Sequence, residues 1–383
     1  MEYQDLNFLS MEAKITVLGA GLIGRAIAID LKKSGNEVTA VDLNPDSLRS
    51  LKQEFNISAE VADFTDPGTL KSLVKDADIV VGAAPGAIGY GMMENVIEAG
   101  KNMVDISFCP EDFMELDSRA KEKGVTVVAD MGVAPGICNT ILGYHNARME
   151  VSSYKCIVGG LPGKREWPLE YKSSWSPADC IEEYIRPARF RENGREVVKP
   201  AMSDAELVEF DRIGTLEEWN SDGLRSLLKT MPHIHDMVEK TLRYPGTIEY
   251  LKVLRELGYF SNEEVEVNGK KVRPVDLTAK LLFPRWKLKK GEKEFTVMRI
   301  HIEGKERGED KAYRYELYDE YDPLTDTLSM SRTTGYSCTG AIGLILNGML
   351  SEKGVLPPEM VGVREENFRY LMHHLRERGV EFG

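Results

Sequence analysis

Six consecutive residues and one acid carry the clearest chemistry in this chain. Gly19-Ala20-Gly21-Leu22-Ile23-Gly24 fits G-x-G-x-x-G without a mismatch, and Asp42 follows at the end of the next apolar run. Gly19 allows a tight turn, Gly21 lets backbone N–H groups approach a pyrophosphate, and Gly24 lets a helix pack closely on a strand. Leu22 and Ile23 open that helix, whose N-terminus adds partial positive charge for the phosphates. Asp42 can accept both hydroxyls of an adenosine ribose, and its charge repels a 2′-phosphate. No arginine follows in Leu43-Asn44-Pro45-Asp46. The expected cofactor is NAD rather than NADP.

Such a loop needs a strand before it and a helix after it. Lys14-Ile15-Thr16-Val17-Leu18 is a short apolar run of the kind buried in parallel sheets. Ile23, Ile27 and Leu31 then lie along one helical face until Ser34-Gly35, and Glu37 to Val41 forms a second strand that delivers Asp42. The alternation continues through strands at 58–62, 78–81, 102–106 and 125–129, with helices between them. Six strands alternating with helices predict an α/β fold, a doubly wound parallel sheet of the Rossmann type. Ligands in such sheets lie at the carboxyl ends of the strands. That rule puts Asp63 and Phe64 beside the adenine, and Ala83, Ala84 and Pro85 beside the second ribose. It also puts Asp105, Ser107 and Asp130 near the nicotinamide.

At Ala134-Pro135-Gly136 the alternation stops, and residues 137–144 read as an apolar helix leaving the sheet. The expected division is 1–135 for the nucleotide, 136–332 for a second α/β domain with a mixed sheet, and 333–383 for helices returning to the first. In the second domain, 154–159, 296–302 and 312–321 read as strands, with 327–332 as a third partner for the last two. Trp175-Ser176-Pro177 opens a helix, since serine caps and proline suits the first helical position. Residues 339–349 read as a buried helix. Met1 to Ser10 precedes a second methionine, Met11, and reads as a loose tail or an upstream start.

The chain has 383 residues, 42% hydrophobic and 29% charged, which suits a globular protein. A net charge of −13 argues against a nucleic-acid partner or an anionic membrane surface. No apolar run approaches the ~20 residues needed to span a bilayer. The first residues lack a basic-then-apolar signal, so a cytoplasmic location is expected. Five scattered cysteines without C-x-x-C, and six histidines without H-E-x-x-H, predict reduced thiols and no metal.

Several further stretches resemble the saccharopine dehydrogenase-like family. They are Val133-Ala134-Pro135-Gly136, Gly159-Gly160-Leu161-Pro162, Pro168-Leu169-Glu170-Tyr171 and Asp211-Arg212-Ile213-Gly214. Thr241-Leu242-Arg243-Tyr244-Pro245-Gly246, Val267-Asn268-Gly269-Lys270-Lys271 and Gly354-Val355-Leu356-Pro357-Pro358-Glu359 continue the series in chain order. The resemblance implies a homodimer, a small amino-acid substrate and oxidation or reduction at a carbon–nitrogen bond. It is nearest to the branch that oxidises the ε-carbon of L-lysine with NAD. Reductases of the same scaffold use NADPH, carry an arginine where Asp42 stands, and hold three carboxylates. Their fungal members also carry a substrate arginine on the helix after Trp175-Ser176. There this chain has Tyr184-Ile185, with Arg186 one place on.

For a substrate of that class, Arg243 is the first choice to hold the α-carboxylate, because a planar guanidinium grips one by two parallel hydrogen bonds. Tyr184, Tyr171 and Trp175 are candidates to line the rest of the substrate. An amine must lose its proton before a hydride can leave the neighbouring carbon, so a general base is required. Asp105, Asp130 and His233 are the candidates, with His235 and Glu183 as further choices. A saccharopine or carboxynorspermidine reductase and a non-catalytic NAD sensor are the competing readings.

Overall fold

A computed structural model describes residues 12–383. The segment Met1 to Ser10, read above as a tail, lies outside the described residues. The chain divides into two compact units, one of residues up to Thr140 with Thr334–Arg378, the other of Ile141–Thr333 with Gly379–Gly383.

The first unit is a parallel sheet of β1 (Lys14–Leu18), β2 (Glu37–Asp42), β3 (Ser58–Val61), β4 (Ile79–Gly82), β5 (Asn102–Asp105) and β6 (Thr126–Val128). A seventh strand, Gly354–Leu356, pairs with β6 in parallel. The order is Gly354–Leu356, β6, β5, β4, β1, β2, β3, so the strand order reverses between β1 and β4. Six strands were expected. The seventh is three residues long, too short for its pattern to declare it, and it arrives from far along the chain. The helix Leu22–Lys33 buries Ile27 and Leu31. Its Asp30 ties down the C-terminal part of the unit. Thr339 donates Oγ1–H to Asp30 at 2.6 Å, and Arg378 Nε reaches both carboxylate oxygens at 2.8 and 2.9 Å.

The second unit is built on β7 (Glu150–Pro162), β8 (Ala188–Glu192), β9 (Arg195–Lys199), β10 (Glu206–Phe210), β11 (Gly214–Asn220), β12 (Asp236–Arg243), β15 (Glu294–Glu306) and β16 (Glu309–Glu320). A separate hairpin joins β13 (Val265–Val267) to β14 (Lys270–Val272). The main path runs β10-β11-β12-β7-β15-β16, with β8 and β9 attached at β12. β12 and β7 are parallel and the other main pairs antiparallel, which makes the sheet mixed. β15 and β16 turn through Arg307 and Gly308, both at positive φ, as the twist of a tight two-residue hairpin requires.

The expected strand at 327–332 is corrected by the structure. Thr327 makes only an isolated bridge to Asp322, and a helix runs from Ser329 to Leu346. Leu328, Met330 and Arg332 imitate alternation over a few residues. Yet Thr333 returns its hydroxyl to the Ser329 carbonyl at 3.0 Å, a helical bond.

The start of this helix is held by a buried acid. Glu294 Oε1 accepts from the Met330 N–H at 3.2 Å, while Oε2 has no hydrogen-bond partner. Burial pushes the Glu294 carboxyl up to about 8, with Asp319 adding to the rise and Arg332 and the helix N–H groups opposing it. An unfolded chain would ionise this group in the ordinary carboxylate range, so the folded state binds the extra proton. Stability from Glu294 is therefore present at low pH and is lost as pH rises toward about 8, by roughly 3 kcal/mol at neutrality. Glu294→Gln should match the parent in urea midpoint near about pH 5 and exceed it near about pH 8. Parallel midpoints at both pH values would refute the account.

Candidate functional site

The glycine loop sits where the strand order reverses. Gly19 takes φ +104°, and a Cβ there would lie 2.3 Å from the Ala83 carbonyl oxygen after β4. A Cβ on Gly24 would lie 2.0 Å from the Gly19 carbonyl oxygen. Both glycines are therefore required by packing. Gly21 differs, because an added Cβ would meet nothing within 4 Å. It precedes a helix that has no side-chain cap, with Leu22 half exposed and Ile23 partly so. Open space beside uncapped N–H groups is what a dinucleotide's phosphates need. The residues present fit that cofactor.

Asp42 ends β2 and is held by backbone donors. Its Oδ2 accepts from Ala20 N–H at 2.7 Å and its Oδ1 from Asn44 N–H at 2.8 Å. The carboxylate is thus locked to the glycine loop, with lone pairs left for ribose hydroxyls. Asp63 is exposed, and bonds from the Thr65 hydroxyl and N–H hold its carboxyl below the usual range. Phe64 is buried in the core with Leu18, Val41 and Ala84. Ala83 is partly buried and Ala84 buried, while Pro85 is exposed and opens a second helix without a side-chain cap, Gly86–Glu98.

Asp105 and Asp130 are both buried at strand ends of this unit. Asp105 accepts from Ser107 N–H and from the Ser107 hydroxyl, each at 2.9 Å. Gly82 makes room for it, since a Cβ there would lie 2.1 Å from Asp105 Oδ1. Asp130 takes φ +56°, and its carbonyl receives Gly132 N–H.

The second unit gathers Arg243, Tyr184 and Tyr171 around one cluster. Arg243 ends β12, and its guanidinium lies 4.3 Å from the Tyr171 ring centroid and 5.8 Å from those of Tyr184 and Trp219. Its Nη2 contacts Glu183 Oε2 at 3.2 Å, its Nε and Nη2 donate to the Tyr184 hydroxyl at 3.3 and 3.2 Å, and its Nη1 donates to the Leu242 carbonyl. Tyr171 exchanges a hydrogen bond with Cys180, whose thiol burial pushes up to about 12. All five cysteines are free and buried. Trp175 is half-buried at the margin of the cluster. Burial lifts the Glu183 carboxyl above its ordinary range, and Arg243 works against that lift.

His233 is not part of this group. It is exposed before the start of β12, where its Nε2 pairs with Asn146 Oδ1 at 2.8 Å. With His235 it lines an open cleft of about 650 Å³ beside Glu150, Glu303 and Lys311. His233 lies just before the start of β12 and Arg243 at its end, more than ~20 Å apart along an extended strand. Nothing in the residues around His233 tells which end of that strand it lies near. Trp219, on β11, and Trp286 complete the aromatic wall and were missed. Both indole N–H groups are buried without a partner. Trp219 was legible only through the alternation of residues 214–220, which needs β12 beside it to mean anything.

A reversed parallel sheet with this loop defines a pyridine-nucleotide-binding domain, here joined to a mixed-sheet domain. Residues 15–128 match the family model described as the saccharopine dehydrogenase NADP binding domain. Residues 132–380 match the saccharopine dehydrogenase C-terminal domain. The chain belongs to the saccharopine dehydrogenase family, and is an oxidoreductase of that family acting on amino-acid-derived amines or imines. It is 23% identical to saccharopine dehydrogenase [NADP(+), L-glutamate-forming] of Pyricularia oryzae, over 96% of this chain and 97% of that one. It is 27% identical to the mitochondrial alpha-aminoadipic semialdehyde synthase of Mus musculus, over 68% of this chain and 30% of that protein. The fold is shared with apo saccharopine dehydrogenase (L-Glu forming) from Saccharomyces cerevisiae, with a TM-score of 0.77, 18% identity, and coverage of 97% and 99%.

The two kinds of glycine separate in a binding test. Gly21→Ala should keep the parental melting temperature and weaken dinucleotide binding about tenfold or more, because its methyl stands beside the open N–H groups. Gly24→Ala should lose about 1–3 kcal/mol of stability from forced overlap. Fluorescence titration and thermal melts read both, and parental affinity in Gly21→Ala would remove the loop from the cofactor site.

Proposed function

We propose that this chain is an NAD-dependent lysine 6-dehydrogenase, which oxidises the carbon bearing the ε-amino group of L-lysine. The observation that carries the reading is Arg243, a buried guanidinium set among the rings of Tyr171, Tyr184 and Trp219. One such clamp suits an amino acid with one carboxylate and an aliphatic chain. Asp42 supports NAD, since its fixed carboxylate stands at the end of β2, where a 2′-phosphate would meet a negative charge. The Pyricularia relative is named for NADP(+). That name is the reason to keep a second reading, a saccharopine or carboxynorspermidine reductase on the same scaffold.

Bound NAD supplies the hydride acceptor. The chain's own contribution is to orient and to move a proton. Arg243 holds the α-carboxylate, and Tyr171, Tyr184 and Trp175 line the methylene chain. A general base takes the proton from the ε-ammonium, which frees the lone pair that expels the hydride. Water then adds to the substrate iminium, ammonia leaves, and the aldehyde closes on the α-amine.

The test is NADH absorbance with L-lysine at alkaline pH, run beside saccharopine and beside NADP. Lysine turnover with NAD is expected, and activity confined to saccharopine with NADP would overturn the proposal. Asp42→Ala should raise the NAD Michaelis constant about tenfold and narrow the preference over NADP, a loss of roughly 1.4 kcal/mol. Unchanged kinetics with both cofactors would remove Asp42 from its role.

A further inference from the structure

Guanidiniums in the second unit are paired in two different ways. Arg189 grips Asp222 as a fork, Nε to Oδ1 and Nη2 to Oδ2, at 2.9 Å each. Arg332 holds Asp319 through three contacts of 3.1 to 3.2 Å. These are fixed structural pairs. Arg243 touches Glu183 through one nitrogen only, at 3.2 Å, longer than the about 2.7–2.9 Å usual for a charged hydrogen bond. Burial beside Tyr171, Tyr184, Trp219 and Trp286 works against the Glu183 carboxylate, and Arg243, Arg186 and a hydrogen bond with Thr241 offset that cost. The single 3.2 Å contact to Arg243 is the one that an arriving carboxylate can replace.

We propose that Arg243 and Glu183 together form the receptor for the zwitterionic head of an α-amino acid. The substrate carboxylate replaces Glu183 on the guanidinium, and Glu183 turns to the α-ammonium. This rests on the reading of Arg243 as the carboxylate clamp. A zwitterionic head brings one anion and one cation, so its binding adds no net charge to the site. The two partners also differ in freedom. Arg243 is pinned by Leu242 and Tyr184, whereas Glu183 is the more exposed member, at 17% against 3%. Burial that disfavours the Glu183 carboxylate is relieved by an arriving ammonium. The assignment also separates Glu183 from the proton transfer. Its partner amine is one carbon from the carboxylate, while the reacting amine is at the far end of the chain.

The test needs no turnover. Calorimetry on the full-length protein would compare L-norleucine, which has the head but no terminal amine, with hexanoate, which has the carboxylate alone. The parent should bind norleucine about tenfold tighter than hexanoate. Glu183→Gln should lose about tenfold for norleucine and leave hexanoate within about twofold, while Arg243→Met weakens both. Glu183→Asp, which keeps the charge, should restore part of the norleucine affinity. Equal losses for both ligands in Glu183→Gln, or no preference for norleucine in the parent, would overturn the proposal. If lysine proves not to be oxidised, Glu183-dependent norleucine binding still supports the head-group receptor, so the two readings fail separately.

Discussion

The first unit depends on a contact that leaves no room for a side chain. The Gly24 Cα lies against the Gly19 carbonyl, and Gly19 lies against the Ala83 carbonyl. Three backbone segments, the end of β1, the start of the first helix and the end of β4, are thereby drawn together where the strand order reverses. Two helices without side-chain caps begin there, at Leu22 and at Gly86. At Leu22 no serine or aspartate side chain consumes the helix N–H groups, which leaves an electrostatic resource for phosphates. Sterics place the helices, and the helices supply the field.

Buried charge serves two purposes in this protein, and bond geometry tells them apart. Asp30 collects Thr339 and Arg378 through short bonds and fastens the C-terminal helices to the first helix. Each lone pair used there reduces the cost of taking the carboxylate out of water. Glu294 lies at the other extreme, with one oxygen on a helix N-terminus and one unpaired, and the carboxyl holds its proton instead. Glu183 and Arg243 stand between these cases. They meet through one nitrogen at 3.2 Å, while Thr241 and Arg186 also act on the carboxyl.

The nucleotide-binding sheet was legible because its signals are local. Strand, glycine turn, helix and acid follow one another within Lys14 to Asp42, and each declares itself by period or by residue type. The second unit was legible only in part, through β7, β15 and β16. The strands β8 to β12 carry mixed polarity, and their burial is decided by neighbours distant in the chain. Arg243 was picked out by its chemistry, but its contact with Glu183 spans sixty residues, a fact no local pattern contains. The surroundings of His233 were illegible for the same reason, because the direction of β12 decides what lies near it.

The overall charge bears on the choice between substrates. A chain of net −13 has to bind a dinucleotide that is itself anionic. The glycine loop contains no lysine or arginine, and Arg25, next in sequence, is engaged with Ser50 and the Phe55 ring. Attraction for phosphate must then come from short-range backbone N–H groups, which act inside the screening length of about 8 Å. A cationic amino acid such as lysine is drawn by the same acidic field, whereas a tricarboxylate approaches against it and must be repaid by several local cations. At the candidate head-group site Arg243 faces Glu183, and Arg186 also acts on that carboxyl. A zwitterion adds no net charge there, whereas every further carboxylate on a substrate needs a local cation of its own.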